Sequence, residues 1–330
     1  MHLLLVRVLV LLSLAGLAEV AACGNPPPSA TSIYQYANAT FIENIFVLPS
    51  GYLLLSTFDT ANLVALDPRV ASPTVRNVVA LGNTTGHTAV AALPNNLYAV
   101  AAGEHTPFGF VNNTMALYVV SITGAPPRGS VVTSIPVPGT MMMNGLAALP
   151  RRPYTVLSAD SIAGRLLRIN TITRQVDVAW TDAALGSGGN PDIPLGVNGL
   201  KIVGDWLYFT NSGQGTLARV RIDAEGNKVG SVQVITTLPT PATMANAYDD
   251  FDLDRCGNAY AALHPDKVVK IAPNGVQTVV AGNGTGPTLE SPTAVKLALD
   301  GKSIYISTGG NFAGPTITGG QVLNLKLCSC

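Results

Sequence analysis

Charge is what this chain most lacks. Only 12% of its 330 residues are charged, and Lys plus Arg balances Asp plus Glu at 19 each. A balanced chain carries no basic footprint for DNA, RNA or anionic lipid, so no nucleic-acid partner is expected. Long amphipathic helical periodicity is also missing, which argues against a helical fold. There is no G-x-S-x-G elbow, no P-loop and no dinucleotide fingerprint. Gly213-x-Gly215 falls in a hairpin pattern rather than before a helix. Cysteine is sparse, with four residues: Cys23, Cys256, Cys328 and Cys330. The C-terminal Cys-x-Cys pair has no second Cys/His pair near it, which argues against a zinc site. An even count in an oxidising compartment fits up to two disulfides, with three connectivities open, and stapling of the chain ends is the preferred reading.

Apolar residues make up 47% of the chain, enough for a large core and too many for disorder. Gly (33) and Pro (23) punctuate β-like runs, which points to an all-β architecture. Residues 3–17 are apolar apart from Arg7 and Ser13, and Val20, Ala21 and Ala22 are small. Residues 1–22 therefore read as a signal peptide, too short and wrongly flanked for a membrane span. Residues 23–330 read as the mature domain. Asn38, Asn83, Asn112 and Asn283 each have Thr two residues on and are expected glycosylation sites. Together these place the protein outside the cell or in the secretory lumen.

Residues 196–223 show the organising unit. They read as three β-strands separated by turns at Gly204-Asp205 and Gly213 to Gly215, with Asn198 at the head of the first strand. The unit recurs from Ile42, Gly86, Met143, Tyr248 and Thr293. Aligned, the six units place Glu43, Thr88, Asn144, Asn198, Asp249 and Thr293 at the head position, 44 to 56 residues apart. A multi-stranded repeat of that length is the signature of a β-propeller, here six-bladed and a single domain. Outer-strand candidates are residues 74–80, 130–135, 175–179, 231–236 and 276–280. The sixth unit has none downstream. Residues 32–36 can supply it, closing the ring and removing a sheet edge, and a bond from Cys23 to Cys328 or Cys330 would lock the closure.

Strand starts around a propeller axis face one another across the mouth of a channel. Glu43, Asn144, Asn198 and Asp249 occupy that position in four units. Two carboxylates and two amides are oxygen donors that suit Ca²⁺ or another hard divalent cation. The alternative is that they satisfy only backbone groups and water. His87, just before a head position, is a candidate acid or base. His105 and His264 fall in connections, at the rim or in solvent. Asn211, Ser158, Asp160 and Thr308 follow second strands at the upper rim. Tyr248 and Asp250 flank Asp249, and Asp250 is expected to point away as a supporting residue. Met141, Met142 and Met143 offer an adaptable apolar wall or core packing. Phe108 and Phe110 lie in a long insertion that either lids the pocket or packs locally.

These heads resemble the SMP-30/gluconolactonase/LRE-like superfamily, over essentially the whole mature chain. The resemblance implies a cation held by Glu43, by Asn198 of Asn198-Gly199-Leu200 and by Asp249, although Asp250 stands where that family usually has Gly. It also implies that Asn144, in Asn144-Gly145-Leu146, lines the substrate pocket. More narrowly, Glu43-Asn44-Ile45, Gly196-Val197-Asn198-Gly199-Leu200, Tyr208-Phe209-Thr210-Asn211, Asp249-Asp250-Phe251 and Ser307-Thr308-Gly309-Gly310 are similar to a secreted fungal branch. That branch includes the hetero-Diels-Alderases of tropolone-sesquiterpenoid biosynthesis, which join a quinone-methide-type diene to a humulene-type alkene. What the resemblance implies is an enzyme of secondary metabolism acting on small, largely apolar substrates, with no cofactor required for the cycloaddition. Glu43, His87, Asn144, Asn198 and Asp249 would carry the chemistry. Thr88, Met143, Asn211, Tyr248, Thr293 and Phe108 would contact substrate. The alternatives are a divalent-metal-dependent lactonase and a non-enzymatic ligand-binding propeller. Oligomeric state is not legible.

Overall fold

In a computed structural model, the described residues are 29–106, 109–282, 284, 286–312 and 316–328. The signal-peptide reading of residues 1–22 and the readings of Cys23, Phe108, Asn283 and Cys330 lie outside them. The described chain forms six four-stranded antiparallel sheets and two short two-stranded hairpins. The inner strands of blades one to six are Ile42–Val47, Gly86–Leu93, Met143–Leu149, Val197–Val203, Tyr248–Leu253 and Pro292–Leu297. Each lies against the inner strand of the next blade, and blade six returns to blade one. This is the six-bladed propeller expected from the repeat. Its outer strands, Arg76–Ala80, Arg128–Pro136, Val176–Thr181, Lys228–Thr237 and Gln277–Ala281, cover the expected segments to within a few residues.

Closure also follows the sequence reading. Thr31–Gln35 is the outer strand of blade six and pairs antiparallel with Gln321–Lys326. The ends of the chain thus share one sheet, and the last blade has no unpaired third strand to offer a neighbour. Cys256 and Cys328 are the cysteines within the described residues, and neither is free.

The core is divided among the blade interfaces. One apolar cluster sits between each adjacent pair, for example Leu54, Leu63, Val100 and Val120 between blades one and two. Another, with Ile42, Leu53, Ala294 and Val322, joins blades six and one. Each sheet is therefore covered on both faces, which is why its strands are richer in apolar residues than a half-solvated sheet would need. Alternation survives at the outside. In Thr216–Ile222, Val220 and Ile222 are buried while Arg219 and Arg221 lie over the Trp206 ring at 4.5 and 5.1 Å. The turn before Trp206 uses Gly204 at φ +60°, a conformation that favours glycine.

Two details of the sheets position the site. Inner strands start, and second strands end, on one face of the disc. Loops joining second to third strands, and loops joining one blade to the next, lie on that same face. In addition, the register of every inner strand slips beside the head residue. The slips fall between Ile42 and Asn44, His87 and Val90, Met143 and Leu146, Val197 and Leu200, Tyr248 and Phe251, and Pro292 and Ala294. A β-bulge adds one residue to one strand and re-aims its side chain. Here it occurs at the same level in all six blades.

Candidate functional site

The bulges bring the predicted heads to one level at the mouth. Glu43, Asn144, Asn198 and Asp249 are each nearly buried there, at 6%, 2%, 4% and 8% exposure. The backbone of blade three backs directly onto that of blade four: a Cβ on Gly145 would stand 2.4 Å from the Asn198 carbonyl oxygen. Only glycine allows that approach, so Gly145 sets the spacing of Asn144 and Asn198.

The acidic side of the ring is electrostatically crowded. Burial, then the charges of Asp249 and Asp250, push the Glu43 carboxyl well above the usual range. Burial and Asp250 also push Asp249 up, while His264 and Asn198 pull it back. His264 Nε2 lies 3.2 Å from Asp249 Oδ2, and the imidazole is 21% exposed. The pair therefore joins a buried carboxylate to a ring that reaches the mouth. The sequence places His264 only at the rim or in solvent; its position directly after the second strand Ala259–Leu263 is the signal that marks it.

The amide side is unsatisfied. Asn198 Nδ2 donates to Ser212 Oγ at 3.0 Å, but Asn198 Oδ1 has no hydrogen-bond partner. Asn144 Nδ2 is likewise buried without an acceptor. Buried polar atoms are normally paired, because an unpaired one costs about 1–3 kcal/mol. The ring thus presents one open acceptor and one open donor. The Asn198 oxygen, with the carboxylates of Glu43 and Asp249 beside it, is the donor set of a hard cation, and the residues fit such an ion. Among the described residues no cluster of three His, Cys, Asp or Glu side chains is spaced to hold a metal, so those residue types alone do not make the site.

A floor closes the ring from below. Asp250 Oδ1 accepts from Lys201 Nζ at 2.6 Å and from the Phe251 amide at 2.8 Å. Its Oδ2 accepts from Asn44 Nδ2 at 3.0 Å. Below this network the channel continues as a cavity of about 190 Å³ whose lining includes Ala91, Leu146, Lys201 and Lys296. Asp250 therefore does stand apart from the ring, in the supporting role expected of it.

The other predicted residues take varied places. Thr88 and Thr293 share the head register, but their hydroxyls donate to the Met143 and Ile42 carbonyls, at 2.5 and 2.7 Å. Ser161 to Val197 and Ser212 to Tyr248 repeat that link at 2.5 and 2.8 Å, so four blade junctions are stitched by a side-chain hydroxyl. His87 precedes the head, where other blades have Ile42, Met143, Val197, Tyr248 and Pro292. Its ring is fully buried, neither nitrogen has a hydrogen-bond partner, and burial lowers its pKa to about 4 against a weak opposing effect of the Ala61 backbone. Met143 is core, and of the three methionines Met141 is the exposed one. Asn211 is saturated by the carbonyls of Ala184 and Gly186 and by the Gln214 amide. Tyr248 is buried and donates to Gln277 Oε1 at 2.7 Å.

An aromatic arc lies on the same face across blades six, one and two. Phe41 stacks on Phe58 with centroids 5.1 Å apart, and Phe58 stacks on His105 at 3.8 Å. Phe110 meets both edge-on, and Phe312 packs against Phe41. Phe312 is 47% exposed and Met141 is 42% exposed, so the mouth is apolar along this sector. Phe110 and the methionines stand out in the sequence as candidates for this wall, whereas Phe41, Phe58 and Phe312 do not.

No family model matches the chain. Two fungal proteins are similar along most of its length. One, from Sarocladium schorii, is named "Putative hetero-Diels-Alderase asR5"; it is 26% identical over 326 residues, 87% of this chain and 78% of its own. The other, from a Phoma species, is named "Putative hetero-Diels-Alderase"; it is 26% identical over 329 residues, 89% of each chain. Among solved structures, a luciferin-regenerating enzyme superposes with a TM-score of 0.62 at 13% identity, covering 91% of this chain and 95% of its own. A calcium-binding regucalcin from Agrobacterium tumefaciens gives 0.59 at 14%, covering 90% and 95%. A gluconolactonase from Xanthomonas campestris gives 0.57 at 14%, covering 92% and 96%. The chain has the six-bladed propeller fold of these solved structures and is similar along most of its length, at 26% identity, to the two fungal proteins.

Proposed function

We propose that the protein is a secreted fungal enzyme of secondary metabolism, a hetero-Diels-Alderase-like cyclase. One observation carries the reading: the mouth has two chemistries side by side. The arc of Phe41, Phe58 and Phe312 is apolar, and the ring holds an open donor at Asn144, an open acceptor at Asn198 and a Glu43 carboxyl that burial and two neighbouring carboxylates push well above the usual range. A humulene-type alkene would lie along the arc, with Met141 beside it. A quinone-methide tropolone would place its oxygens at the ring. The names of the two fungal relatives support the same reading.

Cycloaddition needs little covalent help. Holding diene and alkene in register converts a bimolecular step into an effectively unimolecular one. Asn144 Nδ2 donates to the diene carbonyl and draws electron density from it, and in the cation-free ring a protonated Glu43 would donate to a second oxygen, a role it gives up when its carboxylate holds a cation. No cofactor is required for that step. Glu43, Asn198 and Asp249 would hold Ca²⁺ or another divalent cation, which supplies Lewis-acid polarisation of an oxygen when bound. His264 keeps Asp249 oriented toward the ring.

Purified protein incubated with a hydroxymethyl-tropolone precursor and humulene gives a stereochemically uniform adduct faster than the enzyme-free control. A product mixture and rate equal to that control would sink the proposal. The Asp249–His264 pair favours a second reading, a metal-dependent lactonase in which that pair activates water. Lactone hydrolysis lost on chelation and restored by Ca²⁺, with no effect on adduct formation, selects it.

A further inference from the structure

Of the four expected glycosylation sites, Asn38, Asn83 and Asn112 lie within the described residues, and these three are not scattered over the disc. Asn38 lies between the outer strand of blade six and the inner strand of blade one, Asn83 between blades one and two, and Asn112 between the second and third strands of blade two. By the topology, all three loops are on the face that carries the mouth. All three asparagines are exposed. The loops of the opposite face contain no sequon.

The three also fall in one sector, and each borders the aromatic arc. Asn38 is three residues before Phe41, and its carbonyl oxygen packs against Gly319, in the hairpin that pairs Gly310–Asn311 with Thr318–Gly319 just before Phe312. Asn83 is two residues before Thr85, whose hydroxyl accepts from the His105 amide at 2.7 Å. Asn112 is two residues after Phe110. In the sequon at Asn38, Thr40 Oγ1 already donates to Asn38 Oδ1 at 3.1 Å, leaving the Asn38 nitrogen without a partner from its own sequon.

We infer that Asn38, Asn83 and Asn112 carry N-linked glycans that stand around the aromatic arc and shield it from other macromolecules while leaving the mouth open to small molecules. In the attachment step the Asn Nδ2 displaces a polyprenyl diphosphate from C1 of the donor oligosaccharide. The N–C1 bond forms, the C1–O bond breaks, and the lost amide proton leaves with the diphosphate. An apolar rim with the near-half-exposed Phe312 invites association in a concentrated secretory lumen. Bulky hydrophilic chains rooted within a few residues of it prevent that association without filling the ring. The inference rests on the secretory reading of residues 1–22, and the test separates the two.

The full chain is expressed in a secreting yeast with its own N-terminus and, in parallel, behind a leader of the host. Peptide-N-glycosidase converts each occupied Asn to Asp, so peptide mapping reads every site. Asn38, Asn83 and Asn112 are expected to read as Asp in both secreted products. Self-association of the concentrated protein, read by light scattering, is expected to rise roughly twofold after glycan removal, and that rise is lost in Phe312→Ser. Host-leader protein that is secreted with the three asparagines unchanged overturns the inference. Retention of the native-leader chain alone removes the secretory reading of residues 1–22 and leaves the sites standing. Self-association that does not change on trimming, or that rises equally in Phe312→Ser, overturns the shielding role.

Discussion

Asn44 of blade one donates to Asp250 of blade five, Nδ2 to Oδ2 at 3.0 Å, past the intervening blade six. The bond is possible because the neighbours at that level are small. Blade six contributes Ala294, and blade four contributes Gly199, where a Cβ would stand 2.2 Å from Asp250 Oδ1. Gly199 is therefore needed for space. Gly199→Ala is expected to lower stability by about 1–3 kcal/mol through this clash, read as a drop in the denaturant midpoint with an unchanged slope. Asp250→Ala additionally leaves Lys201, 18% exposed, without its anion, and a loss of about 3 kcal/mol is expected. The double variant Asp250→Ala with Lys201→Met should recover part of that loss. No recovery would remove the ion pair as the reason.

Glu43 makes stability depend on pH with a definite sign. Burial, Asp249 and Asp250 raise its carboxyl in the folded protein. The folded state thus holds a proton that the unfolded chain releases in the ordinary Glu range, near 4.3. The contribution of Glu43 is fully present below that range and is lost as pH rises toward the folded value. Glu43→Gln has no proton to lose. Its melting temperature is expected to match the parent near pH 4 and to exceed it increasingly at higher pH. Each unit of displacement is worth about 1.4 kcal/mol. Ca²⁺ is expected to narrow the gap at neutral pH by stabilising the parent alone. A gap constant across pH contradicts the assignment.

His87 gives the opposite dependence. Its pKa is lowered from 6.5 to about 4 because the fully buried ring cannot be charged cheaply. The unfolded chain takes up the proton first as pH falls. Stability is therefore lost from about pH 6.5 downward, and the loss is complete below about 4, amounting to about 3 kcal/mol. His87→Leu, which fits an interface of apolar residues, is expected to flatten this limb of the stability curve. If the acid limb of His87→Leu overlays that of the parent, another group is responsible.

The fold was legible because its signal is repeated. A polar head followed by an apolar run, a turn and a second apolar run occurs six times, and the N-terminal strand was needed to complete the count. The ring was legible for the same reason, since Glu43, Asn144, Asn198 and Asp249 interrupt apolar runs at one register. Residue type at that register did not reveal use. Thr88 and Thr293 sit there too, yet their hydroxyls bind the next blade, because a short hydroxyl reaches a neighbouring carbonyl and a longer amide or carboxylate does not stop there. Contacts between distant segments left no local signature. Phe41 and Phe312 meet across the closure of the ring, and Asn44 meets Asp250 past the intervening blade six. A bulge changes which way a side chain points without changing the pattern of residue types, so alternation alone could not say that His87 and Thr88 leave the mouth while Asp249 and His264 meet.

The open amide atoms of the ring make its use by substrate testable. Removing a buried polar group that has a partner costs stability, and removing one that has none does not. Asn144 Nδ2 and Asn198 Oδ1 have none. Asn144→Leu removes an unpaired donor and is expected to leave the melting temperature unchanged or slightly raised. Adduct formation from a hydroxymethyl-tropolone and humulene is expected to fall about 100- to 1,000-fold, the range lost when one preorganised donor to a developing charge is removed. Asn198→Leu differs, because Asn198 Nδ2 also binds Ser212, whose hydroxyl in turn holds the Tyr248 carbonyl. That variant is expected to lose both activity and about 1 kcal/mol of stability. A cation held by Glu43, Asn198 and Asp249 would show as a Ca²⁺-dependent rise in melting temperature that survives in Asn144→Leu and disappears in Asn198→Leu. Full activity in Asn144→Leu would mean that the open donor is not used by the substrate and that the oxygenated partner is held elsewhere on the ring.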